Sequence, residues 1–333
     1  MPTATMPTAP LLTRLRRAAL AFTFPLLAMT AAAQGTYPSK PIRLVVPAVA
    51  GSAADTVARL MTERLSKISP QPWVVDNRPG AGGTIGADAV AKAAADGYTL
   101  LFTANNFIIA PRLFASVPYD IYKDFTPIAP VATGQDMIIV NAALGVKSLK
   151  DLAALSKRTQ GGINYGAPFL GSSSHLIMEM LGRQAGIDLT FIPASGGPQS
   201  FTEAIAGRVP VVIGSSTAGL GFVKTGQLAA LAVVDAKRSS LLPTVPTLKE
   251  EGFAALNLPF WFGVYGPGKL PPAVVSQVNR SMVQVLGNAE FAEALASRGY
   301  APRPGTPAEL EALMHDGEPV FAKAIAAVGL TPQ

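Results

Sequence analysis

The sequence predicts an α/β fold in which two lobes, each a mostly parallel sheet flanked by helices, face each other across a cleft. Strand-like and helix-like segments alternate along nearly the whole chain, which is typical of parallel βαβ units. Two strand–loop–helix units of the same kind lie far apart, at residues 42–67 and 161–186. One such unit in each half of the chain favours two lobes, although the ordinary βα turns of a single α/β sheet would leave a similar pattern.

The first unit runs from a strand into a helix. Residues 42–46 are apolar and rich in β-branched side chains, which predicts a buried strand. Residues 48–54 carry no side chain larger than that of Val49, so backbone amides there can approach a ligand closely. Ser52 or Asp55 is expected to cap the helix that follows, and the N–H groups at its start make the loop a candidate anion site. The apolar face of this helix is predicted at Val57, Leu60, Met61, Leu65 and Ile68.

The second unit repeats this arrangement. Residues 163–165 read as a short strand, and the loop after it is bounded by Gly166 and Gly171. Three consecutive serines then supply helix caps and hydroxyl donors. The buried stripe of the next helix is predicted at Leu176, Ile177, Met180 and Leu181. Together the two units suggest that an anion is held between helix ends from both lobes.

The remaining elements continue the alternation. Further strands are predicted at residues 73–75, 98–103, 189–192, 209–213, 228–234 and 261–265. Near the C-terminus, Thr306 and Glu309 form a capping box with proline at the first helical position. Two proline-rich passages, residues 118–130 and 242–246, look like the connections between lobes. The resulting division is a leader at 1–33, a first lobe at 34–132 and 245–333, and a second lobe at 133–244.

The N-terminus has the features of a secretory signal peptide. Arg14, Arg16 and Arg17 precede an apolar core at residues 18–29, and the alanines at 31–33 fit the cleavage rule, with the cut after Ala33. The core is too short to span a bilayer as a stable helix. The paired arginines lack the rest of a twin-arginine signal, so general secretion is favoured over that route. An uncleaved amphipathic tail is the alternative.

Composition restricts the class of partner. The chain is 49% hydrophobic and 14% charged, which is typical of a globular protein. It contains no cysteine, so neither a disulfide nor a lipid-modified cysteine is available. The net charge of +6 falls to +3 (6 − 3) once the three arginines of the leader are removed, and no Lys/Arg run remains. We therefore expect a monomeric periplasmic protein with a small anion, and not nucleic acid, as its partner.

The sequence offers little support for catalysis. Besides lacking cysteine, the chain has two histidines, His175 and His315, so a His- or Cys-rich metal site is unavailable. His175 follows the three serines, but ligand contact or surface exposure explains it better than a Ser–His pair. The glycines at 80–86 approach a dinucleotide fingerprint, yet the third glycine falls one residue late. A tight turn with close helix–strand packing is the preferred interpretation. We expect no enzyme, cofactor or metal, and keep a secreted dinucleotide-dependent enzyme as the alternative class.

Six stretches resemble the periplasmic solute receptors of tripartite tricarboxylate transporters, the Bug-type receptors. They are YPSKPIRLVVP, VVDNRPGAGGTIGADAVAKAAADGYTLLFT, VPYDIYKDFTPIAPVA, INYGAPFLGSSSHL, QLAALAVVDAKRSSLLPTVPTLKEEGF and WFGVYGPGKLPPAVV. The resemblance extends from Tyr37 to about Ile325, and the run at residues 77–86 followed by DGYTLL is very specific. It implies a two-lobed periplasmic binding protein of the Venus-flytrap, type II-like fold, hinged by crossover strands.

The resemblance also implies a ligand class and a site. Receptors of this family bind small carboxylates, and loops from both lobes hold one ligand carboxylate through backbone N–H groups and hydroxyls. These loops map to residues 47–55 and 166–174 here. The candidate residues of the first loop are Ala48, Val49, Gly51, Ser52, Ala53 and Asp55, of which Asp55 is expected to hold the loop. Those of the second loop region are Gly166, Gly171, Ser172, Ser173, Ser174 and His175.

Other candidates follow from the strand ends, because ligands of open α/β sheets sit beyond the carboxyl ends of the strands. These are Thr103, Asn105 and Asn106 in the first lobe, and Ser195, Gly196, Ser215 and Ser216 in the second. Several positions in the loops depart from the family pattern, and at two of them the family usually has bulky side chains where this chain has Ala48 and Ala194. The departures predict a roomier pocket and a bulkier ligand acid, including an aromatic one.

The sequence thus predicts a periplasmic receptor that captures a small di- or tricarboxylic or aromatic acid. The resemblance implies delivery to one large and one small integral membrane subunit of a transporter. A sensory receptor for the same ligands is the alternative within this class.

Overall fold

The computed structural model describes residues 1–3, 37–168, 170–194, 198–239, 241–256 and 258–332. The chain divides into one unit of residues 1–39 and another of residues 40–333. The expected signal peptide lies, apart from its first three residues, outside the described residues. Within the part of the chain that the structure describes, no helix combines the length and the apolar character needed to cross a bilayer.

A six-stranded mixed sheet forms the first lobe. Its strands, in spatial order, are β2 (Trp73–Asn77), β1 (Ile42–Val46), β3 (Thr99–Ala104), β10 (Trp261–Pro267), β4 (Phe125–Gly134) and β11 (Tyr300–Pro302). The pairs β1–β2 and β1–β3 are parallel, whereas β10 is antiparallel to both of its neighbours and β11 is antiparallel to β4. Four of the six strands therefore run in one direction.

A five-stranded mixed sheet forms the second lobe. Its strands, in spatial order, are β7 (Leu189–Pro193), β6 (Ile163–Ala167), β8 (Val211–Ser215), β5 (Asp136–Asn141) and β9 (Leu228–Val234). Here β7, β6 and β8 are parallel, and β5 is antiparallel to β8 and β9. Four of these five strands share a direction.

Helices flank both sheets. Those of the first lobe are α1 (Ala53–Ile68), α2 (Thr84–Ala91), α3 (Asn106–Leu113), α8 (Pro272–Leu286), α9 (Ala289–Ala296) and α10 (Pro307–Val328). Those of the second lobe are α4 (Leu149–Ser156), α5 (Ser173–Ala185), α6 (Pro198–Ile205) and α7 (Ser216–Lys224). In α1, Val57, Met61 and Leu65 are fully buried, as their helical spacing predicts. Ile68 was expected on the same face but is 43% exposed, because it is the last residue of α1.

The chain first passes between the lobes directly from strand to strand. Strand β4 ends at Gly134 in the first sheet, and β5 begins at Asp136 in the second. The chain returns between β9 and β10. A strand that enters a sheet in this way need not be parallel to its neighbours, which explains why β5 and β10 run against theirs. The alternation of elements predicts the common strand direction correctly, but it does not reveal these two strands or the reversed edge strand β11.

The C-terminal helix contacts both lobes. Helix α10 begins with the predicted capping box, in which Thr306 and Glu309 exchange hydrogen bonds. It packs on β4 and α3 of the first lobe and on α5 of the second. At its other end, the guanidinium of Arg183 donates hydrogen bonds to the carbonyls of Ala327 and Val328. A cation at this position satisfies carbonyls that the end of a helix leaves free. The helix therefore ties α5 to the first lobe.

Candidate functional site

A cleft of about 340 Å³ lies between the two sheets. Its first-lobe wall consists of Pro47, Ala48, Val49, Ser52, Ala53, Ala54, Pro79, Gly80, Gly82, Gly83, Thr103, Ala104, Asn106, Phe260, Phe262 and Tyr300. Its second-lobe wall consists of Asp136, Pro168, Ser174, Ile213, Gly214 and Ser215. The wall thus combines apolar side chains with a few hydroxyl and amide groups, a composition typical of small-molecule sites.

The start of α1 forms one end of the cleft. Ser52 is the N-cap, and its hydroxyl oxygen accepts a hydrogen bond from the backbone N–H of Asp55 at 3.3 Å. Ala53 and Ala54 occupy the first two helical positions, where backbone N–H groups have no acceptor within the helix. All three of these residues line the cleft. Backbone donors at this helix end are therefore placed beside the space that a ligand would fill.

Asp55 lies behind this loop and is 2% exposed. Its carboxylate accepts hydrogen bonds from the N–H of Gly51 at 2.9 Å, from Nδ2 of Asn77 at 2.9 Å and from Nε of Arg59 at 3.0 Å. Asn77 also donates to the carbonyl of Ala48 at 3.1 Å. The network joins the loop, α1 and the end of β2. Asp55 therefore holds the loop in place.

We expect Asp55→Asn to lower the free energy of unfolding by about 1–2 kcal/mol. The asparagine side chain cannot accept hydrogen bonds from all three donors, and it lacks the negative charge that strengthens those that remain. Burial alone would raise the pKa of Asp55, but the hydrogen bonds from Arg59, Gly51 and Asn77 outweigh it and lower the pKa below its usual 3.8. This stabilisation is therefore present above the unfolded-state pKa and is lost as the pH falls towards the folded-state pKa.

Urea unfolding of the wild-type protein and of Asp55→Asn, at pH 7 and near pH 3, checks the expected loss of stability. The difference between wild type and variant should be largest at pH 7 and shrink in acid. Asp96→Asn is a matched control, because Asp96 is 43% exposed and its hydrogen bonds, from Nζ of Lys40 at 3.2 Å and from the N–H of Tyr98 at 3.1 Å, both lie at the surface. An equal loss in both variants, or a loss that does not depend on pH, would contradict the role given to Asp55.

The three serines at the start of α5 have three different partners. Ser172 is the N-cap, and its hydroxyl oxygen accepts from the N–H of His175 at 3.2 Å. The hydroxyl oxygen of Ser173 accepts from Nδ2 of Asn105 at 2.9 Å, which links the two lobes beneath the cleft. Ser174 donates to Oδ2 of Asp136 at 3.1 Å and lines the cleft. Of this run, therefore, Ser174 alone faces the ligand space.

His175 is 2% exposed and lies away from the cleft. Its Nδ1 accepts a hydrogen bond from the N–H of Gly171 at 3.2 Å, and its ring packs edge-on against Phe191 with centroids 4.6 Å apart. Burial lowers the pKa of His175, and the nearby Glu179 opposes that shift. The sequence suggests either a ligand contact or surface exposure for this residue. The structure instead places it in the interior, as part of the support for the second loop.

The cleft brings together some of the predicted site residues. Those that line it are Ala48, Val49, Ser52, Ala53, Thr103, Asn106, Ser174 and Ser215. Those that lie outside its wall are Gly51, Asp55, Asn105, Gly166, Gly171, Ser172, Ser173, His175 and Ser216. Ser195 and Gly196 fall outside the described residues. Several of the residues in the second group hold the loops: Ser216, for example, donates its N–H to the carbonyl of Gln135 at 2.9 Å.

Four prominent residues of the wall are not predicted from the sequence. Asp136 starts β5, and Phe260, Phe262 and Tyr300 come from the C-terminal part of the chain. A charged residue at the head of the apolar run at residues 137–140 is the signal that would have drawn attention to Asp136. The aromatic residues carry no comparable signal, because their position depends on how β10 and β11 pair with distant strands.

The glycine-rich turn at residues 80–86 packs closely, as the sequence predicts. Gly80, Gly82 and Gly83 all have positive φ, a conformation that side chains disfavour. A Cβ at Gly86 would lie 2.8 Å from the Cβ of Pro47 and 2.9 Å from the carbonyl oxygen of Arg78. Close approach of α2 to β1 therefore accounts for this glycine. Among the described residues no group of three His, Cys, Asp or Glu side chains could hold a metal ion.

Two α/β lobes that enclose a cleft between helix ends define a periplasmic-type solute-binding protein. The family model described as tripartite tricarboxylate transporter family receptor matches residues 57–330. The chain belongs to this family, whose members are receptors and not enzymes. The dinucleotide-dependent enzyme considered from the sequence is thereby set aside.

Similarity to known proteins extends over most of the chain. It is 34% identical over 283 residues to protein BugT of Bordetella pertussis, with 84% of this chain and 87% of that protein covered. The solved periplasmic binding protein BugD is 30% identical, with a TM-score of 0.81 and coverage of 89% of this chain and 100% of that one. A Rhodopseudomonas palustris protein solved with adipate is also 30% identical, with a TM-score of 0.82 and the same coverage.

Proposed function

We propose that the cleft binds a small carboxylate and that the protein delivers it to a tripartite tricarboxylate-type transporter. The observation that carries this proposal is the convergence of helix N-termini from both lobes on one cavity. Ser52 with Ala53 at α1, Ser174 at α5 and Ser215, the N-cap of α7, all line it. Each helix end presents N–H groups and a partial positive charge, which together suit an anion.

Neutral donors are sufficient for this task. In a cleft shielded from water, hydrogen bonds from fixed amides and hydroxyls stabilise a carboxylate far more than they would in bulk solvent. The scarcity of basic side chains in the two loops is therefore compatible with an anionic ligand. The R. palustris relative solved with adipate, a dicarboxylate, supports the same ligand class for this chain.

The ligand is proposed to be bulkier than a four-carbon acid. The cavity of about 340 Å³ is within the usual range for small-molecule sites. Ala48 contributes no more than a methyl group to the wall, and Phe260 and Phe262 add flat apolar surface that suits an aromatic or long aliphatic acid. If only succinate-sized acids bind and aromatic acids do not compete with them, this part of the proposal is wrong.

The proposal also includes export of the protein to the periplasm and a role in uptake of the ligand. The family's receptors and the solved relative BugD are periplasmic, and the leader-like residues 1–33 support the same location for this chain. The transporter partners would be one large and one small integral membrane subunit. Cleavage after residue 33 can be checked by mass spectrometry of the exported protein.

A thermal-shift screen of residues 34–333 tests the proposed function. Mono-, di- and tricarboxylates, both aliphatic and aromatic, are compared with NAD as a nucleotide control. A ligand at 100 times its dissociation constant contributes about 2.7 kcal/mol, which corresponds to a rise in melting temperature of about 5 °C. We expect at least one acid to give such a rise and NAD to give none. No response to any acid would overturn the carboxylate proposal.

A further inference from the structure

One charged side chain lines the cleft among the described residues, and its sign is opposite to what an anion site requires. Asp136 begins β5, and Ser174 donates a hydrogen bond to its Oδ2 at 3.1 Å. None of the described lining residues is Lys, Arg or His. Burial raises the pKa of Asp136, and the hydrogen bond from Ser174 opposes the rise. A carboxylate in such surroundings is costly unless a ligand provides a partner.

Three aromatic rings share the cleft with this carboxylate, and one of them, Tyr300, interacts electrostatically with it. Phe260, Phe262 and Tyr300 line the same cleft and contact one another, with ring centroids 5.0–6.2 Å apart. Two of them lie against Gly134, two residues before Asp136: a Cβ there would be 3.0 Å from Tyr300 and 3.2 Å from Phe260. Aromatic faces next to a carboxylate form the environment that proteins use to bind ammonium groups.

No described neighbour neutralises the carboxylate. Helix α5 presents the hydroxyl of Ser174, and strand β11 presents the phenol of Tyr300. The adjacent strands β8 and β9 place Ser215 and Val234 opposite it. The guanidinium of Arg298, whose carbonyl accepts from Ser215, donates instead to the carbonyl of Ala294 in the preceding helix α9. The opposing positive charge is therefore left for the ligand to supply.

We propose that the preferred ligand is a zwitterion, with its carboxylate at the helix ends and its ammonium group beside Asp136 and the rings of Phe260, Phe262 and Tyr300. Asp136 is then a specificity-determining residue that selects amine-bearing acids over plain ones. This inference rests on the proposed function and narrows its ligand class. It also explains why an acidic side chain is compatible with a cleft that binds carboxylates, because attraction to the ammonium group offsets repulsion of the carboxylate.

Calorimetric titration at pH 7.5 with matched pairs of acids tests the inference. The pairs are glutamate with glutarate, phenylalanine with 3-phenylpropanoate, and 6-aminohexanoate with hexanoate. We expect the amine-bearing member of at least one pair to bind about tenfold or more tightly than its partner. Asp136→Asn should abolish that preference while retaining an acceptor for Ser174. The surface control Asp96→Asn should retain the preference.

The outcomes distinguish the inference from the proposed function. If plain acids bind as tightly as their amine-bearing partners, or if Asp136→Asn leaves the preference unchanged, the zwitterion inference is overturned and carboxylate binding stands. If no acid of either series binds, both are overturned.

A second test uses the wild-type protein alone, so its result does not depend on whether the Asp136→Asn variant folds. The preference within a pair should decline as the pH is lowered and Asp136 becomes protonated, since the ligand amine stays charged. Affinities are compared per ionised carboxylate, because an ammonium group lowers the pKa of a nearby carboxyl group and the two members of a pair otherwise lose their charge at different pH. A preference that is independent of pH down to about pH 4, close to the usual range of an aspartate, would overturn the inference.

Discussion

Gly171→Ala is expected to lower the free energy of unfolding by about 2–4 kcal/mol. Gly171 precedes α5 in the second lobe and has φ +81°, which already disfavours a side chain. An added Cβ would lie 2.3 Å from Cδ1 and 3.0 Å from Cγ of Leu113, so the whole leucine side chain would have to move. Leu113 is 7% exposed at the end of α3 in the first lobe. The substitution should therefore force the lobes apart at this contact.

Gly186→Ala is the matched control. Gly186 also has positive φ, at +63°, but nothing lies within 4 Å of the position that its Cβ would take. The free energy of unfolding of this variant should fall by only about 1–2 kcal/mol, the cost of a side chain at positive φ. Urea unfolding of both variants isolates the lobe contact as the difference between them. Equal losses would mean that the approach of Gly171 to Leu113 contributes nothing to stability.

Ala53→Pro is expected to weaken binding of a carboxylate about 10- to 100-fold while leaving stability nearly unchanged. Ala53 is the first residue of α1, a position that tolerates proline, and the preceding Ser52 has φ −67° and ψ 168°, as a residue before proline prefers. The substitution removes one backbone N–H from the wall of the cleft. A hydrogen bond to a charged group contributes about 1.5–3 kcal/mol, which gives the expected change in affinity.

Ala289→Pro serves as the control for this substitution. Ala289 is exposed and begins α9, and its N-cap Asn288 is extended, with φ −81° and ψ 130°. The same chemical change is thus made at a helix start outside the cleft wall. Calorimetric titration of both variants with the tightest-binding acid of the screen should show a loss for Ala53→Pro alone. If both variants bind as wild type does, the start of α1 does not contact the ligand.

Local sequence patterns predict the elements and helix caps of the cleft well. The small residues at 48–54 and the serines at 172–174 mark two helix starts, and Ser52 and Ser172 are the N-caps in the structure. The spacing of apolar residues likewise predicts which faces of α1 and α5 are buried. These features are set by interactions within a few residues of each other, so a single sequence is sufficient to show them.

Local sequence patterns do not predict which tertiary contacts each residue makes. Ser173 and Ser174 are neighbours, yet one binds Asn105 of the other lobe and the other donates to Asp136 of its own lobe. The reversed strand β10 and the short β11 carry aromatic residues to the wall from positions more than 100 residues beyond the first loops. These arrangements depend on strand pairing between distant segments, which alternation of helices and strands does not encode.

A crystal structure with the tightest-binding acid of the screen tests the central claim most directly. We expect the ligand in the cleft, with one carboxylate within hydrogen-bond distance of the backbone N–H groups of Ala53 or Ala54 and of a hydroxyl from the second lobe, Ser174 or Ser215. A ligand bound outside the cleft, or one whose carboxylate avoids the ends of α1, α5 and α7 altogether, would contradict the helix-end mechanism of carboxylate binding.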